Sequence, residues 1–143
     1  MHLQLITLQG VRVDQDIYEL VAPTAAGEIG VFPGHEPLVT VAVPGALAVR
    51  YKKGDPDRDL EYFAISGGVI EIDPKGIRIL VDDADQGDEI VEAEAKSALE
   101  RAQKMKSEAK NQVELDKARE LVDRHTVRLH VAGLRRHRHA VPP

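Results

Sequence analysis

Apolar and polar positions change rhythm once along this chain. Up to about residue 82 the apolar residues come in short runs rich in β-branched side chains, at 3–8, 17–21, 38–43, 46–51, 61–65, 69–72 and 77–81. Such runs, broken by Gly, Pro and Asp, read as strands of an antiparallel sandwich or barrel. From Asp88 the spacing becomes helical. Val91, Ala95, Ala98, Ala102, Met105 and Ala109 recur at steps of four and three, and so line one helix face. Leu115, Ala118, Val122, His125, Leu129 and Ala132 line a second. Asp88 is placed to cap the first helix, Lys110-Asn111 to separate the two, and Gly133 to stop the second. The pattern predicts an α+β chain. An N-terminal antiparallel β-sandwich over residues 1–84 is followed by an antiparallel two-helix hairpin over 85–143.

Two local features refine this. Pro44-Gly45 suits a type II turn and Asp73-Pro74-Lys75-Gly76 a type I turn. The first helical face is mostly alanine, which buries little area. At ~0.8 kcal/mol per buried CH₂, against ~1–2 kcal/mol per residue to order the backbone, the hairpin is expected to be held weakly and to need a docking surface.

The densest punctuation lies in Gly27-Glu28-Ile29-Gly30-Val31-Phe32-Pro33-Gly34-His35-Glu36-Pro37. Gly27, Gly30 and Gly34 with Pro33 and Pro37 restrict this backbone so strongly that its shape is expected to have a use. A phosphate cradle is one reading and a stiff contact surface the other. The cradle fails: no Gly-Lys-Ser/Thr follows, and a strand rather than a helix comes next, so no helix N-terminus faces an anion. His35 has the chemistry of a general base. No Ser lies near it in sequence and the chain has no Cys, so a structural or contact histidine is the expectation.

Composition narrows the classes further. Aromatic residues are 3%, with no Trp and no Cys, so the core is Val, Ile, Leu and Ala and there is no disulfide or thiolate metal site. No apolar run reaches the ~20 residues of a membrane helix, and no signal peptide opens the chain, so a cytosolic place is expected. The net charge is −5, with acids in excess up to Asp88 and bases in excess after it. Asp82-Asp83-Ala84-Asp85-Gln86-Gly87-Asp88 lacks the ligand spacing of a calcium loop and reads as a solvated linker. The basic end, Leu134-Arg135-Arg136-His137-Arg138-His139, follows Arg119, Arg124 and Arg128. It fits a solvated helix end or an acidic protein partner better than nucleic acid, because no stacking aromatic accompanies it. His125 falls within an apolar stripe, as a half-buried histidine between helices or as a pH-sensitive contact.

The segment 27–38 resembles the hallmark of the epsilon subunits of ATP synthases, and Ser66-Gly67-Gly68-Val69 resembles their second hallmark. Strands, turns, acidic linker and two helices follow in the family's order. The resemblance implies about ten strands and a non-catalytic subunit of the rotor's central stalk, with no cofactor, metal or catalytic residue of its own. It implies coupling of proton transport to ATP synthesis from the cytoplasmic face of a bacterial membrane, reached only through the complex. The implied partners are the gamma subunit, the membrane-embedded c-ring and an acidic surface of the beta subunit. Glu28 and His35 are implied to share a tip that faces the ring. Arg119, Arg124 and Arg128 are implied to face gamma or beta when an extended hairpin blocks hydrolysis. Some members bind ATP where the first helix opens. Here Ile90 and Ala95 match that motif, but Val91 stands for its Asp and Glu94 for its Arg, so no tight ATP binding is expected. A free-standing sandwich adaptor with a coiled-coil arm, and a small hydrolase using His35, are the competing readings.

Overall fold

A computed structural model describes the backbone of residues 1–140 and the side chains of residues 1–135. In the basic tail, Arg136, His137, Arg138 and His139 lie outside the described side chains. Ten strands come first: β1 His2–Thr7, β2 Gly10–Asp16, β3 Glu19–Thr24, β4 Gly27–Val31, β5 Leu38–Ala42, β6 Gly45–Arg50, β7 Glu61–Ile65, β8 Gly68–Asp73, β9 Gly76–Val81 and β10 Ala84–Gln86. They run in the order β10-β7-β6-β3-β5-β8-β9-β1-β2, with β4 on β3. The sheet turns over at β3, which pairs with β6 through Glu19–Val21 but with β5 only through Thr24. One pairing, β1 with β9, is parallel, against the antiparallel expectation.

Alternation places the core as the sequence pattern requires. Leu3 and Leu5 of β1, Leu20 and Ala22 of β3, Leu47 and Val49 of β6, Ile70 and Ile72 of β8, and Ile77 and Ile79 of β9 all point into one cluster. β2 carries no alternating apolar pattern, because only Val13 of its seven residues is buried. β10 has three residues and sits in the segment read as a linker. The expected division after residue 84 therefore falls inside a strand.

Glycines explain both hallmarks. His35 N–H bonds to Phe32 O across Pro33-Gly34, and Gly34 has φ of +89°. Pro second and a positive-φ Gly third make a type II turn. Pro44-Gly45, by contrast, is not one: Gly45 has no positive φ, and a Cβ there would stand 2.8 Å from the Pro23 ring. In the second hallmark a Cβ on Gly68 would lie 2.0 Å from Leu80 O, while Ser66 Oγ accepts from Asp83 N–H at 2.9 Å.

Helix α1 spans Glu92–Ser107 and α2 spans Gln112–Ala140. The break at Lys110-Asn111 is where the periodicity put it. Glu114 N–H donates to Asn111 Oδ1 at 2.9 Å, and Lys110 N–H to Glu114 Oε2 at 2.9 Å, a reciprocal cap. Asp88 does not cap α1; it lies in a 3₁₀ turn over Gly87–Glu89, and the position before α1 is Val91, with no side-chain cap. Gly133 does not end α2, which runs on to Ala140. Within the two stripes Ala95, Ala102, Ala118 and Ala132 are buried, whereas Val91 and Met105 stay exposed.

Candidate functional site

The hairpin lies on the outer side of β6 and β7. Ala64, Ile90, Ala95, Val131 and Ala132 form a second, smaller apolar cluster, with Ala46, Tyr62, Val127 and Leu129 against it. Three of its five core residues are alanine, so few methylenes leave water. Ile90 and Val131 contribute about 1.5–3 kcal/mol each and the alanines less. Beside the cluster a hollow of about 360 Å³ remains between Pro44, Ser66 and Gly67 of the sandwich and Leu121, Arg124 and Val127 of α2. A seam with such a gap lacks the close packing of a protein interior.

Charge completes the contact. Arg128 Nε stands 3.1 Å from Asp85 Oδ2. Arg124 reaches Asp83 at 3.9 Å and Asp85 at 4.0 Å, and Arg135 reaches Asp88 at 3.8 Å. Arg124, Arg128 and Arg135 are spaced by four and seven, one face of α2, and they meet the acidic segment 82–88, which is a docking strip rather than the expected solvated linker. Each partly exposed pair is worth about 0–1 kcal/mol, more where several act together. Arg119 is exposed and outside this row.

His125 sits half-buried between the helices. Around it a hollow of about 620 Å³ is lined by Glu94, Ser97 and Arg101 of α1 with Arg128 of α2. Its Nδ1 is shielded from solvent without a hydrogen-bond partner. Burial first, then Arg128, Arg124 and Arg101, hold its proton affinity below the ordinary value, with Asp85 opposing. Ile90 and Ala95, the two matches to an ATP motif, are buried in the docking cluster, at 2% and 0% exposure. Their identity is thus accounted for by packing. Glu94 brings a carboxylate to the hollow that also holds Arg101 and Arg128.

On the other outer face of the sandwich, register assembles a row that the sequence did not show. Val41 pairs with Val69, Val69 with Leu80, Leu80 with Ile6, and Ile6 with Val11. A bulge between Leu5 and Ile6 turns Val11 outward although Val13, two residues on, is buried. Val41 is 56% exposed, Val11 57% and the neighbouring Leu8 82%. Antiparallel sheets that face water are polar outside, so an apolar ladder across five strands marks a contact surface.

The hallmark residues are divided between the two ends of the sandwich. Glu28 pairs with Pro23, next to Gly27 and Thr24, at the end where Thr24 meets Ala42 and Ala42 meets Gly68. His35 lies at the other end, in a hollow with Met1, Pro74 and Gly76. The structure does not bring them to one tip. His35 Nδ1 bonds Glu36 O at 2.7 Å, while Glu28 is exposed. Among the described residues no group of three or more potential ligands is placed to hold a metal ion, and no helix is long and apolar enough to cross a membrane.

Residues 1–87 match the family model of the ATP synthase delta/epsilon chain, β-sandwich domain. The ATP synthase epsilon chain of Herpetosiphon aurantiacus is 36% identical over 138 residues, 96% of this chain and 98% of that one. The chain belongs to the ATP synthase epsilon-chain family. The epsilon chain of Halalkalibacterium halodurans is 35% identical over 134 residues, 93% of this chain and 97% of that one. In the cryo-EM structure of the Euglena gracilis mitochondrial ATP synthase (OSCP, F1 and c-ring), one chain superposes with a TM-score of 0.75. It shares 25% identity over 92% of this chain and 79% of its own length. Membership gives the docked helices and the ladder a setting, that of a subunit of ATP synthase.

Proposed function

We propose that this epsilon-family chain, a non-catalytic subunit of the rotor's central stalk, couples rotation to ATP synthesis and restrains ATP hydrolysis through its hairpin. Family membership supports the rotor role. The observation that carries the regulatory part is the occupation of Arg124 and Arg128 by Asp83 and Asp85 of the same chain. A face of α2 that the chain's own carboxylates neutralise is a face that an acidic partner could take over. Docked, the arginines are withheld; released, they and Arg119 are offered to gamma or to an acidic surface of beta. The loosely filled, alanine-rich seam supports release at modest cost.

The apolar ladder from Val41 to Val11 is the proposed gamma contact. Glu28, exposed at its end of the sandwich, is the proposed c-ring contact. His35 is assigned to its own turn rather than to the ring, since its imidazole is engaged there and stands at the opposite end. Proton transport, and a place on the cytoplasmic face of a bacterial membrane, follow for the assembled complex on this reading. The hairpin's docking contacts come from the chain itself, through the Ile90 and Val131 cluster and the Arg128–Asp85 pair. The isolated chain is expected to show no sub-millimolar ATP affinity by calorimetry, and such an affinity would sink that part.

Deleting residues 89–143 tests the whole reading in the assembled enzyme. Coupled synthesis should survive, and hydrolysis should rise or stay equal. Loss of assembly would refute the regulatory assignment.

A further inference from the structure

His125 is a titratable group that docking encloses and that none of the ion pairs uses. Charged groups face it from three elements: Glu94 and Arg101 from α1, Arg124 and Arg128 from α2, and Asp85 from β10. Asp85 is already within ion-pair distance of both α2 arginines. The shielded Nδ1 has no acceptor to receive a proton's hydrogen bond. A neutral ring fits this setting. An imidazolium would be a further cation among three guanidinium groups, partly removed from water.

We propose that His125 makes docking of the hairpin proton-sensitive: uptake of one proton by its ring favours release of α2 from α1 and the sandwich. On the reading of the hairpin given above, mild acidification then frees the inhibitory element. The consequence rests on that reading; the docking equilibrium itself does not.

A proton affinity held below the ordinary 6.5 in the docked state means that docking is fully supported above that value. Support is lost as pH falls beneath it, because the undocked ring takes up the proton first. One proton limits the effect to about tenfold in the docking ratio per pH unit. Ordinary carboxylates titrate near pH 4, so a window from about 7.5 to about 5.5 leaves them charged, and the comparison with His125→Gln separates this ring from the other five histidines.

The chain has no cysteine, so Pro44→Cys and Glu120→Cys, exposed on opposite walls of the seam hollow, accept a pair of spin labels in the full chain. The docked fraction should fall across that window and stay level in His125→Gln. The His125 ring, followed by NMR in the native chain, should titrate below 6.5. Arg101→Gln should move both midpoints to higher pH, and it serves if His125→Gln does not dock at all. A level native profile, equal profiles for native and His125→Gln, or a ring titrating at or above 6.5 would overturn the proposal. Release by acid without any fall in hydrolysis by the assembled enzyme would instead overturn the inhibitory reading and leave this one standing.

Discussion

Gly27, Gly30 and Gly34 look alike in sequence and are not alike in the fold. Gly27 and Gly34 have φ of +111° and +89°, in the region that a Cβ disfavours, whereas Gly30 has ordinary strand angles and only the Phe32 ring nearby, at 3.9 Å. Gly34→Ala should cost about 1–2 kcal/mol in urea melts, and Gly30→Ala less than about 0.5 kcal/mol. Equal losses would mean that the turn is not what the hallmark preserves. Thr24 shows why Gly27 belongs to a turn: its Oγ1 donates to Gly27 O at 2.5 Å and accepts from Ala26 N–H at 3.2 Å. Thr7 repeats both bonds around Gly10, with 3.1 Å for each. Identities of this kind are readable from a sequence. Which glycine answers to φ and which to a neighbouring backbone, as Gly68 does, depends on strands distant along the chain.

The helices illustrate competition between local preference and packing. Gly133 carries a helix penalty of about 1 kcal/mol. It follows Val131 and Ala132, both buried against the sandwich, and tertiary burial outweighs the local stop. Asp88 lost the capping role for a related reason: Arg135 lies opposite it and the chain still has a 3₁₀ turn to make before α1. The ion-pair row between β10 and α2 should behave as a unit. Arg128→Ala and Asp85→Ala should each speed hydrogen exchange in α2, and the double variant should lose less than the sum of the two. A coupling of about 0.5–1 kcal/mol is expected, and high salt should reduce it. Strict additivity would mean that the pair does not hold the helix.

Across the molecule, one face of the sandwich is covered by helices and the other carries the apolar ladder. Val41→Asp or Val11→Asp should leave the melting temperature of the isolated chain almost unchanged, because these side chains are already 56% and 57% exposed. Either should weaken capture of gamma by at least about tenfold, the effect of losing about 1.4 kcal/mol at an interface. Unchanged capture would refute the ladder as the gamma contact. The α+β architecture, most strands, the hairpin, its break and its alanine face were legible because period two and period near 3.6 are local properties of a chain. The hallmark loop was legible because Gly and Pro act on their own backbone. The ladder was not, since Val41, Val69, Leu80, Ile6 and Val11 become neighbours only through strand register and one bulge. Nor was the separation of Glu28 from His35, only seven residues apart along the chain but at opposite ends of the sheet. The acidic segment 82–88 looked like solvated linker because its partners, Arg124, Arg128 and Arg135, lie far away in sequence. Charge and periodicity are written residue by residue; which charges meet is settled by where docking places one element on another.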